Sequence, residues 1–135
     1  MKNTFYILLI FLLIIVDSGC NRFNKYVRDK SGVDAIVVFD SQKYDFGSIK
    51  MCKIISHTFH YKNVGRSAFF INDIKTSCGC TVPHWSKEPI KPNGNGSIRI
   101  DFINPSYGEF HKCSMVLCNI NGRHLYLIIK GKIVK

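Results

Sequence analysis

Apolar and polar residues alternate along much of the chain after residue 34, and no stretch there shows the period of an amphipathic helix. Alternation with a period of two buries one face of a β-strand. The clearest alternating faces are Ile55, His57, Phe59 and Tyr61 in one run, and Ile98, Ile100 and Phe102 in another. Short apolar runs at residues 35–39 and 68–74 are typical of further strands. Strands separated by Gly, Pro and Asn turns predict an all-β fold, a β-sandwich.

The last two strands form a predicted hairpin around Asn121-Gly122, the strongest short signal for a tight two-residue turn. Such a turn pairs Cys118 with Leu125, Val116 with Leu127 and Ser114 with Ile129. The more apolar face then points inward and carries Cys118, whereas Cys113 points outward. We therefore expect no disulfide between Cys113 and Cys118, because their side chains leave opposite faces.

The N-terminal residues read as an export signal and a tether. Residues 5–16 are apolar, which suits the core of a signal peptide and is short for a membrane span of about 20 residues. Ser18-Gly19-Cys20 resembles the cleavage and lipidation site of bacterial lipoproteins. This predicts a signal peptide over 1–19, a lipid on Cys20, a polar tether over 20–33 and a domain over 34–135. An uncleaved anchor or ordinary secretion are the alternatives.

Composition limits the possible partners. The 135 residues support one domain after the signal, and six cysteines in an exported chain indicate an oxidising compartment. The net charge of +10 is spread along the chain without a basic block. Spread charge suits solubility or an anionic surface better than a nucleic-acid groove, so no nucleic acid is predicted as a partner.

The residues with the most chemistry lie in Ser77-Cys78-Gly79-Cys80-Thr81-Val82-Pro83-His84-Trp85. One interpretation of Cys78 and Cys80 is a disulfide, within the pair or to Cys52 or Cys113. A second is a copper or zinc site with His84 as third ligand. A third is a redox-active dithiol. We favour the disulfide, because a Cys-x-Cys pair alone is a weak metal signal.

The sequence also suggests positions for three aromatic residues, His84, Trp85 and His57. His84 and Trp85 follow Pro83 on a predicted exposed loop, where they either bind a partner or, in the case of Trp85, fold back over the end of the sandwich. His57 lies on the apolar face of its strand, which favours a core histidine bonded to a backbone group over a metal ligand.

Several segments together resemble a known bacterial family, the domain of unknown function 1573. They are residues 44–49, 57–59, 62–65, 77–83, 89–94, 108–110 and 129–131, and the Ser-Cys-Gly-Cys-Thr segment is the most specific of them. The resemblance implies an immunoglobulin-like β-sandwich of the Hydin and major-sperm-protein type, common in exported proteins and lipoproteins of Bacteroidetes. It implies no known activity.

No set of catalytic groups emerges from the sequence. Residues 92–96 form a turn without the lysine and helix of a phosphate-binding loop, so neither nucleotide nor other cofactor is predicted. Few acidic residues are present, which disfavours acid–base hydrolysis. We predict a non-catalytic lipoprotein of the cell envelope, facing the periplasm, anchored in the membrane by lipid and binding an envelope protein or polysaccharide. A metal-binding lipoprotein is the alternative, and a thiol–disulfide redox protein is less favoured.

Overall fold

The computed structural model describes residues 35–120 and 124–135, which contain eight strands. They are β1 (Val37–Phe39), β2 (Lys43–Lys50), β3 (Ile54–Asn63), β4 (Ile71–Thr76), β5 (Thr81–Trp85), β6 (Asn95–Ile103), β7 (Gly108–Cys118) and β8 (Leu125–Val134). The predictions for the signal peptide, for lipidation of Cys20 and for the tether lie outside the described residues. Among the described residues, no helix has the length and apolarity needed to cross a membrane.

The strands form two four-stranded sheets, with the orders β1-β3-β6-β5 and β2-β8-β7-β4. Neighbouring strands are antiparallel except β2 and β8, which run parallel. The sheets pack face to face as a sandwich, which confirms the predicted fold class. Both predicted alternating faces point into the core, where Phe59, Ile98 and Ile100 are at most 1% exposed.

The predicted register of the last hairpin is wrong by two residues. Val116, and not Cys118, pairs with Leu125. The Asn119 side chain explains the difference, because its Nδ2 donates to the Ala68 carbonyl at 2.8 Å and its Oδ1 accepts from the Phe70 N–H at 3.0 Å. These bonds hold the end of β7 against the approach to β4, so β7 diverges from β8 early.

A shift of two residues leaves every side chain on its predicted face, so the apolar pattern does not distinguish the two registers. The core face of the hairpin is accordingly confirmed: its fully buried residues are Ser114, Val116, Leu127 and Ile129. Cys118 is half-buried against the core, and burial raises the pKa of its thiol. Cys113 and Cys118 are not bonded to each other, as expected, and both are free thiols.

Two strands, β2 and β5, lie where the sequence predicted none. β2 is an edge strand with mostly exposed residues, and a bulge between Asp45 and Ser48 interrupts its ladder. Gly47 lies within this bulge with a φ of +64°, a conformation that favours glycine. The bulge removes the alternation by which a strand is recognised, which is why the sequence pattern missed β2.

The ladders determine which loops share an end of the sandwich. Ile54 at the start of β3 pairs with Ile103 at the end of β6, and the Ile103 N–H donates to the Cys80 carbonyl at 2.9 Å. The loops after β2 and β6 therefore lie at the same end as the segment before β5. Val37 pairs with Asn63 at the far end of β3, so the described chain begins at the opposite end.

Candidate functional site

Residues 77–80 carry the chain from β4 in one sheet to β5 in the other, and Cys78 and Cys80 form a disulfide at this corner. Their Cα atoms are 5.3 Å apart. We call residues 77–80 the corner. Cys78 and Cys80 are half-exposed, and Cys80 packs against the core.

Hydrogen bonds fix the corner on both sides. The Ser77 N–H donates to the Cys113 carbonyl at 3.0 Å, and the Ser77 hydroxyl accepts from the Cys113 N–H at 3.3 Å. The Cys78 carbonyl accepts from the Thr76 hydroxyl at 3.0 Å and from the Thr81 N–H at 3.2 Å. The polar residues that flank the cysteines therefore hold the backbone of the corner in place, independently of the disulfide.

Gly79 is exposed, and an added Cβ would have nothing within 4 Å. Its φ is not in the left-handed region, so neither backbone conformation nor close packing requires glycine here. The absence of a side chain leaves the outer side of the disulfide uncovered.

The disulfide contributes little to stability by constraining the unfolded chain. The loop-entropy model gives about 1.6 kcal/mol for a ring of three residues, against about 3 kcal/mol for a 15-residue loop. The hydrogen bonds already hold the corner, so loop-fixing alone is a limited role for this pair.

The metal interpretation required His84 to join the two cysteines. Instead, His84 Nε2 lies 3.0 Å from Asp101 Oδ2, and Asp101 also forms an ion pair with Arg99. These three side chains lie on the outer face of β5 and β6. Within residues 35–120 and 124–135, no group of three His, Cys, Asp or Glu side chains is placed to hold a metal ion.

His84 and Trp85 lie on β5, not on the exposed loop that the sequence predicted. Pro83 was the misleading signal, but β5 is an edge strand paired only with β6, and proline is tolerated where its nitrogen faces away from the neighbour. Trp85 is partly buried against the core, and the Lys87 ammonium lies 3.4 Å from the centre of its ring. This is the fold-back position, one of the two that the sequence left open.

The His57 side chain makes ring contacts, and within residues 35–120 and 124–135 no hydrogen bond joins it to a backbone group. Its ring stacks on Tyr44 with centroids 3.6 Å apart and contacts Phe46 and Phe59 edge-on. Burial lowers the pKa of His57, and the nearby His60 lowers it further. His57 therefore packs the space between β3 and β2.

Sequence reasoning missed several exposed apolar residues at the end of the sandwich that carries the corner, in residues 50–54 and at Tyr107. We call residues 50–54 and Tyr107 the tip. The exposed fractions of Met51, Ile54 and Tyr107 are 37%, 56% and 60%. The Asn104 N–H donates to the Lys53 carbonyl at 2.8 Å, which joins the two loops. The available signal was Ile54, an apolar residue directly before the inward-facing Ile55 and hence on the outward face.

Three cysteines in the described part of the chain are free. Cys52 is exposed within the tip, and Cys113 and Cys118 are half-exposed. Neither Cys52 nor Cys113, both considered as disulfide partners, is bonded to the corner. Cys113 is nevertheless paired through its backbone with Ser77, next to Cys78.

A family model described as "Protein of unknown function (DUF1573)" matches residues 37–133. The chain belongs to this family. The match includes every strand of the sandwich, the corner and the tip. No curated protein matches the DUF1573 chain.

Solved structures share the fold of this DUF1573 domain at low identity. A protein of unknown function from Porphyromonas gingivalis W83 aligns with a TM-score of 0.63 and 15% identity, over 73% of this chain and 46% of that one. The DUF1573 chain thus spans less than half the length of that protein. The ASH/PapD-like domain of human CEP192 aligns with a TM-score of 0.61 and 10% identity, over 76% and 87% of the two chains.

A secreted serine protease, VesC from Vibrio cholerae, also aligns, with a TM-score of 0.57 and 8% identity over 72% of this chain. The alignment covers only 23% of the protease. At such identities the likeness concerns the fold alone, an immunoglobulin-like sandwich that unrelated proteins share.

Proposed function

We propose that this DUF1573 chain is a non-catalytic lipoprotein of the cell envelope, facing the periplasm, that binds a partner protein through its tip. The observation that carries the proposal is the exposure of Met51, Ile54 and Tyr107 at one end of the sandwich. Exposed apolar side chains that cluster, rather than occur singly, mark interaction sites. Tyrosine and methionine are also enriched at protein interfaces.

Charge indicates the kind of partner. Lys50 and Lys53 flank the apolar residues of the tip, and Lys135 follows β8, which ends at the same place. Positive potential around an apolar centre is complementary to a protein surface with an apolar patch and an acidic rim. The net charge of +10 acts in the same direction.

The edge strands of both sheets are poorly suited to pair with a strand of a partner. This favours binding through the tip over binding by strand addition. β1 has three residues, β5 contains Pro83, and the ladders of β2 and β4 are interrupted by bulges. Each feature disfavours pairing with a further strand. A partner therefore has better access to side chains at the tip than to backbone groups at an edge.

Lipidation is tested separately from binding. Cells that express the chain are labelled with radioactive palmitate, with a Cys20→Ser variant as the control. We expect labelled wild-type protein in the membrane fraction and unlabelled variant. Equal labelling, or none in either form, contradicts the lipoprotein assignment.

Binding through the tip is tested with two matched isoleucines. Ile54 in the tip and Ile36 at the opposite end are 56% and 55% exposed. We expect Ile54→Ser to reduce capture of the envelope partner at least tenfold and Ile36→Ser to leave it unchanged.

The exposed thiol of Cys52 reports whether the partner covers the tip. We expect bound partner to slow alkylation of Cys52 while alkylation of Cys113 is unaffected. Equal capture by both serine variants, or unchanged alkylation of Cys52, overturns the proposal. Binding only to lipid vesicles or to a polysaccharide overturns the choice of a protein partner.

A further inference from the structure

We propose that the Cys78–Cys80 disulfide exchanges with thiols, with Cys78 as the sulfur that accepts the incoming thiolate and Cys80 as the leaving and resolving sulfur. This activity goes beyond the proposed function and does not depend on what the tip binds. Its substrates are thiols, either a small thiol or an accessible cysteine of a protein.

Access distinguishes the two sulfurs. Both cysteines are half-exposed, but Cys80 packs against the hydrophobic core and Cys78 does not belong to that cluster. Gly79 between them carries no side chain, and nothing lies within 4 Å of the position a Cβ would occupy, so the disulfide is uncovered there. The sulfur that packs against the core is the less accessible of the two, so access favours Cys78 as the sulfur that is attacked.

The surroundings of Cys78 suit a thiolate. The Thr81 hydroxyl lies 3.4 Å from Cys78 Sγ and can donate a hydrogen bond to it. A hydroxyl donor favours the charged form of a thiol.

The step balances without an external oxidant. The thiolate of the substrate attacks Cys78 Sγ, a bond forms between the two sulfurs, and the bond between Cys78 and Cys80 breaks. The electron pair passes to Cys80, which takes a proton from water. A second substrate thiolate can then attack the first substrate's sulfur, which forms a substrate disulfide, breaks the bond to Cys78 and releases Cys78 as a thiolate. In the reverse direction, Cys80 attacks Cys78, restores the ring and releases the substrate thiolate. The hydrogen bonds that hold the corner are made by backbone and hydroxyl groups and not by the sulfurs, so we expect the exchange to need no unfolding.

The first test uses the unmodified full chain and reduced glutathione. After the reaction is quenched by acid, trypsin releases residues 76–87, bounded by Lys75 and Lys87, which contain both cysteines. Mass spectrometry then reads the state of the pair. We expect the folded chain to react at a rate within about tenfold of the urea-unfolded chain. A disulfide that stays intact until the chain unfolds overturns the proposal.

The second test assigns the sulfurs with oxidised glutathione and single variants. We expect Cys80→Ser to accumulate glutathione on Cys78 at least tenfold faster than Cys78→Ser accumulates it on Cys80. Equal rates overturn the assignment. Circular dichroism confirms the β-sheet content of each variant, and the first test stands if either variant fails to fold.

Thr81 has a positioning role, because its hydroxyl acts through Cys78. In the Cys80→Ser background, the alkylation rate of Cys78 is followed against pH. We expect Thr81→Val to move the midpoint upwards by roughly one pH unit and Thr81→Ser to restore it. A midpoint that is the same in all three forms removes Thr81 from the mechanism.

Discussion

Gly96 lies directly opposite Tyr61 in the ladder between β3 and β6, and the tyrosine ring covers the place where a side chain on Gly96 would be. Tyr61 is 4% exposed and cannot swing away, since its ring contacts Phe39 at 5.1 Å and Phe69 at 5.4 Å between centroids. A close approach between backbone and aromatic ring thus requires glycine at this position.

We therefore expect Gly96→Ala to lower the free energy of unfolding by about 1–3 kcal/mol, because the added methyl group overpacks the site. Gly79→Ala is the matched control. Nothing lies within 4 Å of its Cβ position, so we expect a change within about 0.5 kcal/mol. Urea unfolding of both variants measures the difference, and equal effects would contradict the packing argument.

Asn63 is fully buried and ties two loops together. Its Nδ2 donates to the carbonyls of Ser67 at 2.8 Å and Ile90 at 3.0 Å, and its Oδ1 accepts from the Gly65 N–H at 3.0 Å. We expect Asn63→Ala to cost about 3 kcal/mol of unfolding free energy, because three hydrogen bonds are lost in a buried site.

The control for Asn63 is Asn119→Ala, which removes a half-exposed asparagine whose side chain also bonds two backbone groups, in bonds that solvent can reach. Water can replace those bonds, so we expect a loss of about 1 kcal/mol. Thermal unfolding followed by circular dichroism compares the two variants. A larger loss for Asn119 would show that burial is not the cause.

Stability should depend on pH through His57. Burial, with a smaller contribution from His60, lowers its pKa in the folded chain below the value of 6.5. The unfolded chain therefore takes up the proton first as pH falls, so the stabilising effect is complete above pH 6.5 and is lost as pH drops through the folded pKa.

Urea unfolding between pH 5 and pH 8 measures this slope (roughly the range in which histidines titrate). We expect His57→Phe to reduce the slope while keeping the stack on Tyr44. His111→Gln removes an exposed imidazole and serves as the control. A slope that is unchanged in His57→Phe would assign the pH dependence to other groups.

Removing the corner disulfide should lower the free energy of unfolding only slightly. We expect Cys78→Ala combined with Cys80→Ala to lower the free energy of unfolding by about 1.6 kcal/mol, the entropy of a three-residue ring. The comparison is Leu127→Ala, a fully buried core residue, where about 2–5 kcal/mol is expected. Guanidinium unfolding shows which of the two variants loses more free energy of unfolding. A disulfide that matters more than Leu127 would indicate a structural role for the corner.

The alternation of apolar and polar residues was sufficient to predict the sandwich fold. The alternation in β3 and β6 predicted which residues are buried, because residues two apart in a strand lie on the same face of the sheet. The same pattern left the register of β7 and β8 open, and the bonds from Asn119 to Ala68 and Phe70 determine it. Those partners lie about 50 residues away in sequence, where local reasoning does not reach.

The candidate site, like the fold, was only partly predictable from the sequence. The Cys-Gly-Cys segment stands out in the sequence, and a pairing of Cys78 with Cys80 was among the alternatives. The position of His84 beside Asp101 was not predicted, and the burial of Trp85 was only one of two alternatives, because both follow from the pairing of β5 with β6. The tip combines two loops that are distant in sequence, and only Ile54 on an outward face hinted at it.

By itself, the sequence determined the fold class, the faces of the main strands, the family and the residues with the most chemistry. These follow from local periodicity and short motifs. Only the tertiary structure decided the register of the last hairpin, the strand position of His84 and Trp85 and the neighbourhood of the corner and the tip. Each depends on contacts between segments far apart in the chain, and such contacts form only when the two sheets pack.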